Sequence, residues 1–265
     1  MGLSKPFCSG AEDGFDLWLR RSVPAVKVQP MSRDTPSSTR LPGAPGIAVA
    51  LRRSARARRY SLRISQLDGK VTLTLPLRAS LKEGLSFLHE RESWILDHLR
   101  TRPAAVVVGH GQTVPFEGRT LAVVPGDGRG PRVERGQLLV PGDPARAGRR
   151  VQAFLKQAAR DRLAAASDRH AAALGRGYRR LTLRDTRSRW GSCSASGDLM
   201  YSWRLVMAPA AVLEYVAAHE VAHLEQMNHS PAFWALVAQL CPGHEAPRTW
   251  LRREGATLHR YRFFD

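Results

Sequence analysis

The chain has 265 residues, 43% of them hydrophobic, which is long and apolar enough to bury one large core or two small ones and excludes a disordered polypeptide. Its formal net charge is +18, carried by 41 basic residues of which only five are Lys. No run approaches the roughly 18 apolar residues of a membrane span, so no membrane partner is expected. The three cysteines, Cys8, Cys193 and Cys241, are too few and too scattered for a disulfide framework. The first ten residues also lack the apolar core of a secretory signal, and a reducing cytoplasm is the simple inference.

Residues 1–45 are rich in Ser, Pro, Gly and Arg around the apolar patch Phe15–Leu19 and read as a disordered N-terminal extension. Met31 is a plausible alternative start, and Gly2 after Met1 is only a faint myristoylation signal. Strand-like runs follow at Ile47–Arg52, Tyr60–Ser65 and Val71–Leu75, with a hairpin turn at Leu67–Lys70 between the last two. Ser80 to about Leu99 reads as one helix, with Leu81, Leu85, Leu88, Trp94, Ile95 and Leu99 largely on one face. Short strands are expected at Thr113–Phe116, Thr120–Val124, Arg132–Arg135 and Gln137–Val140, with a loose exposed turn over Gly126–Gly130. A long amphipathic helix then runs from about Pro144 to Leu174 and stops at Gly175. Arg180–Asp185, Ser188–Ser192 and Asp198–Trp203 look like strands. The expected fold is α+β: a β-rich part over residues 46–143 precedes a catalytic part over 144–262, in which helices lie beside an antiparallel sheet.

The chemistry is concentrated in His219-Glu220-Val221-Ala222-His223, with His229 six residues further on. Pro209 and the apolar residues Val212, Tyr215, Val216, Ala222 and Leu224 predict a helix from about 209 to 226. A helix advances about 100° and 1.5 Å per residue, so His219 and His223 share one face, roughly 6 Å apart, and can bind one metal. Glu220 lies one step round, placed to act on the metal's water as a general base from outside the ligand set. The helix should stop near Met227-Asn228, and Ser230-Pro231 reads as the cap and first position of another helix carrying Phe233, Trp234, Leu236, Val237 and Leu240. His229 then sits in the turn between them. Two helical ligands, one loop ligand and an open fourth position is the layout of a catalytic zinc. Glu245, Glu254 and His244 are rival third ligands, His244 reading otherwise as a solvated loop residue. The spacing equals that of metzincins, but Gln226 stands where those enzymes need Gly.

The stretches Arg184–Cys193, Tyr201–Leu205 and His219–Trp234, in that order, closely resemble the YgjP-like metallopeptidase domain, a group often labelled SprT-like zinc-dependent metalloproteases. The resemblance runs from about residue 47 to 262. It implies a zincin-like fold, Zn2+ held by His219, His223 and His229, Glu220 as catalytic base, and a polypeptide substrate. The strand carrying Ser188–Cys193 would be one candidate to line the cleft, by pairing with an extended peptide. Trp190 and Trp203 read equally well as core aromatics behind the active-site helix.

Arg187, Arg189 and Arg204 either grip a carboxylate or phosphate or make surface ion pairs. The oxyanion-stabilising group is open among Tyr201, Tyr215, Arg189 and His244. Cys193 reads as a small buried strand residue rather than a metal or redox group. Two other functions fit the residues: hydrolysis of a nucleotide phosphoanhydride, and metal binding without catalysis, against which Glu220 argues. The Arg-rich composition invites nucleic acid only as a weak electrostatic partner, since no helix-turn-helix, zinc finger or aromatic RNA-binding motif accompanies it.

Overall fold

A computed structural model describes residues 16–22, 37–65, 68–101 and 104–264. The chain divides into two compact units, one over Gly14–Pro103 and one over Ala104–Asp265. The division thus falls well before the expected boundary at residue 143, because the strands over 113–141 belong with the helical unit.

In the first unit the strands are β1 (Asp16–Ser22), β2 (Ser38–Leu41), β3 (Ala44–Ser54), β4 (Arg59–Ser65) and β5 (Val71–Pro76). Helices α1 (Leu81–Glu90) and α2 (Glu92–Arg100) follow. The sheet order is β1-β4-β5-β3-β2. Alternation dictates its two faces: Tyr60, Leu62 and Ile64 on β4 and Val71, Leu73 and Leu75 on β5 are buried, together with Phe87, Leu88 and Ile95 from the helices. The intervening residues are Ser, Thr and Arg. Two strands are described within the expected extension over 1–45: β1 pairs antiparallel with β4, Asp16 opposite Ser65, and β2 pairs antiparallel with β3. Residues 1–15 and 23–36 of that extension lie outside the described residues, as does Leu67 of the hairpin turn. The single helix expected over 80–99 is two, broken at Arg91 (φ −108°, ψ 12°). Ser80 caps α1 by accepting from the Glu83 amide at 3.4 Å.

The second unit begins with β6 (Val106–Val107), β7 (Thr113–Phe116), β8 (Arg119–Gly126), β9 (Arg132–Glu134) and β10 (Gln137–Pro141). Then come α3 (Ala147–Leu174), β11 (Arg180–Arg184), β12 (Gly191–Cys193) and β13 (Asp198–Ser202). Helices α4 (Ala210–Ala222), α5 (Pro231–Leu240) and α6 (Glu245–Glu254) and the short β14 (Tyr261–Arg262) complete it. β7, β8, β10 and β9 form one sheet in that order, and β14 pairs with β6. The turn over 126–130 is exposed as expected but not loose, since Arg132 donates to the Asp127 carbonyl and carboxylate, each at 2.7 Å. α3 lays a stripe of Val151, Leu155, Ala159, Leu163 and Ala166 into the core and ends at Gly175, whose φ of 67° a residue with a side chain rarely adopts.

The sheet nearest the motif is mixed rather than antiparallel: β13 runs parallel to β11 and antiparallel to β12. β12 is an edge strand and is shorter than expected, Ser188–Trp190 lying outside it although the Trp190 carbonyl accepts from the Ser202 amide at 2.8 Å. Among the described residues no helix is long and apolar enough to cross a membrane.

Candidate metal centre

α4 is apolar almost all round, with Val212, Leu213 and every residue from Tyr215 to Ala222 buried. Such a helix belongs in the middle of a core, and it packs against α3, α5, α6 and β12. Its last turn carries the two motif histidines. The helix stops four residues earlier than expected, but His223, as its C-cap, keeps helical backbone angles (φ −67°, ψ −16°) and so its place above His219. Ser230 then caps α5 as expected, accepting from the Phe233 amide, with Pro231 in the first turn.

The turn between α4 and α5 brings His229 back to the pair. Ring nitrogens of His219, His223 and His229 all lie within 4.8 Å of one another, and among the described residues no other joins that group. Nε2 of His219 and Nε2 of His229 face each other at 3.2 Å. Two nitrogens each about 2.0–2.1 Å from a tetrahedral ion stand roughly 3.3 Å apart, so the spacing suits a shared metal. His223 turns Nδ1 to the Gln226 carbonyl at 2.9 Å. Donating there fixes its tautomer and leaves Nε2 as the lone-pair donor. Nδ1 of His219 is buried with no hydrogen-bond partner among the described residues. Burial, with His223 and His229 beside it, pushes the His219 pKa down to about 2, and burial lowers that of His223. Both are therefore neutral imidazoles at pH 7, the form that binds metal. The donor set fits a borderline-soft divalent ion.

Aromatic rings wall the centre. Phe233 is fully buried, stacked on His223 at 4.5 Å between centroids and edge-on to His219 at 4.9 Å. Trp234 stacks on His229 at 5.9 Å, and the Arg248 guanidinium lies over Trp234 at 4.2 Å. These two α5 residues were visible in the sequence only as helix-face apolar positions.

Glu220 is 4% exposed and stands outside the histidine group. Its carboxylate lies against Gly191 of the edge strand β12, so close that a Cβ there would sit 2.5 Å from Oε1 and 2.6 Å from Cγ. Gly191 is thus part of the site, since only a residue without a side chain leaves the carboxylate its room. Nothing in the spacing of the motif announces this; the signal was the Trp190-Gly191-Ser192-Cys193 segment itself. Cys193, half-buried on the same strand, is held as a thiol: burial and then the nearby Glu220 push its pKa up to about 12.

The other expectations resolve individually. His244 is buried rather than solvated, its ring parallel to those of Tyr215 and Trp234 about 6 Å away. Neither it nor the exposed Glu245 and Glu254 joins the three histidines. Trp190 and Trp203 are core aromatics, against His259 and Phe263 respectively. Arg204 is neither a substrate clamp nor a surface charge. It is 7% exposed, pairs with both Asp185 oxygens at 2.7 and 3.1 Å, and donates to the Leu258 and Tyr261 carbonyls. Tyr201 is fully buried and commits its hydroxyl to Ser167 at 3.0 Å.

A family model described as YgjP-like, metallopeptidase domain, matches residues 58–254. Among the curated proteins and the solved structures, none matches.

Proposed function

Because the chain belongs to the YgjP-like metallopeptidase domain family, we propose that it is a zinc-dependent peptidase in which His219, His223 and His229 hold the ion and Glu220 is the general base. The observation that carries this reading is the convergence of three imidazole nitrogens beside a buried carboxylate that is not one of them. A zinc ion held there would lower the pKa of its water to about 7 and polarise the scissile carbonyl. Glu220 takes a proton from the attacking water on one carboxylate oxygen and returns it to the departing amine nitrogen, so the base is restored at the end of the cycle. Gly191 and the walls of α4 hold that carboxylate at one setting. The aromatic rings of Phe233 and Trp234 pack on the imidazoles, His219 and His223 being buried and His229 exposed. β12 offers an edge for an extended peptide, consistent with a polypeptide substrate.

A phosphoanhydride substrate has less support. Arg204, the most buried of the three arginines that would suit it, is already engaged by Asp185 and two carbonyls. Metal binding without catalysis leaves the buried Glu220 with no purpose.

The test compares wild-type protein with His223→Ala and Glu220→Gln, measuring zinc content and hydrolysis of an unfolded protein and of nucleoside triphosphates. About one zinc per chain is expected in the wild type and in Glu220→Gln, with turnover abolished in the latter, and both lost in His223→Ala. Full activity in Glu220→Gln overturns the mechanism. Triphosphate hydrolysis without peptide hydrolysis overturns the substrate class.

A further inference from the structure

The stretch from Ala50 to Ser65 contains six arginines and no acidic residue. The register of the first unit sorts them. Thr74 on β5 pairs with Arg52 on β3 and with Ser61 on β4, so these three form one row across the middle of the sheet. The neighbouring row, Leu51, Leu73 and Leu62, points to the opposite face and the core. The face away from the helices is therefore built of hydroxyls and guanidinium groups. Arg53, on the other parity, is spent on structure, donating to the carbonyls of Pro76, Leu77 and Ala79.

Arg52, Arg56, Arg58 and Arg59 instead line a recess of about 460 Å³, over the hydroxyls of Ser61 and Thr74. No carboxylate and no aromatic ring among the described residues lines it. Among the described residues no ion pair holds any of these four arginines, whereas Arg162, Arg169 and Arg176 of the second unit are matched by Glu117, Glu214 and Glu225. Four like charges gathered round one recess repel one another in the free protein. An anion relieves that repulsion, and guanidinium forks suit phosphate oxygens. The recess is large against one phosphate, and four guanidinium groups line it, so a chain of phosphates fits better than a free ion.

We propose that this recess binds the phosphodiester backbone of a nucleic acid without reading its sequence. The lining explains the lack of sequence reading. Among the described residues it has no ring on which a base would stack and no Asn or Gln to pair with a base edge, leaving charge and hydroxyl contacts to the backbone. The weak electrostatic association that composition alone suggested thereby acquires a location.

The experiment is fluorescence anisotropy of the full chain with a labelled random-sequence DNA duplex between 50 and 200 mM salt. The quadruple variant R52S/R56S/R58S/R59S is compared with a charge-matched control, R119S/R129S/R252S/R253S, which removes four exposed arginines elsewhere. The slope of log affinity against log salt should fall by about 3 in the recess variant, with affinity at least ~30-fold weaker at 100 mM. The control should lose less than about 3-fold, and replacement of the four by Lys should restore most binding. Equal losses in recess variant and control would show bulk charge at work and overturn the site. So would unchanged binding, or preferential binding to anionic lipid vesicles. Unaltered melting temperature in all three variants is the check on folding.

Discussion

A methyl group added at Gly191 separates the placement of the Glu220 carboxylate from the metal site beside it. In Gly191→Ala the new Cβ would stand 2.5, 2.6 and 2.8 Å from Oε1, Cγ and Cδ of Glu220. Ordinary contacts of this kind are about 3.5 Å or longer, so the carboxylate must retreat by roughly 1 Å. The strand cannot yield instead, because Gly191 is laddered to Tyr201 and follows the buried Trp190. Overpacking at such a position costs about 1–3 kcal/mol, a drop of roughly 3–10 °C in Tm. The catalytic loss is steeper, since 1 Å of misplacement in a reacting group removes on the order of 10²-fold in rate. Kinetics on an unfolded protein substrate, with zinc content measured on the same samples, should give kcat lowered about 100-fold, KM within a few-fold and zinc unchanged. Wild-type kcat together with wild-type Tm would refute the role assigned to Gly191. Loss of zinc would show that the methyl disturbs the histidines rather than the base.

Replacing Arg204 by Met leaves two buried carbonyls and Asp185 without their donor, at a cost of about 3 kcal/mol, discounted because Asp185 can hydrate. Calorimetry should find Tm lower by roughly 6–12 °C, and a shift under 2 °C would contradict the assignment. His259 supplies a pH dependence. Burial, reinforced by Arg204, lowers its pKa from the ordinary 6.5 to about 4. Its charged form is disfavoured in the fold, so its contribution is whole above pH 6.5 and is lost as pH falls towards 4, by on the order of 2 kcal/mol. In His259→Phe, which keeps the ring against Trp190, that segment of the Tm-against-pH curve should flatten; an unchanged slope would assign the acid sensitivity elsewhere.

Features governed by short-range rules were legible in the sequence. The His219–His223 spacing, the Ser230-Pro231 cap and Gly175 each depend on neighbours within a turn or two of chain, and each stands where expected. Elements made by distant partners were not. β1 reads as part of a polar tail because its strand character comes from pairing with β4, more than forty residues on. β11 and β13 are joined side by side and parallel, which no local pattern specifies. The buried polar residues escaped for the same reason. Arg204 and His244 look like surface residues until Asp185, the carbonyls near 260, Tyr215 and Trp234 close around them. Gly191 shows the limit most sharply, since its role is defined by a carboxylate 29 positions away.

The edge strand β12 is only three residues long. At about 3.3 Å per residue that is roughly 10 Å of backbone, room for two or three ladder hydrogen bonds worth about 1 kcal/mol each. A guest held so briefly is held loosely and by main-chain groups that every polypeptide carries. Such an edge would discriminate by conformation rather than by composition: it would admit any chain able to lie extended for three residues and reject one whose backbone is already paired. Under the proposed function it would reward the loss of a partner's fold, and let go soon after.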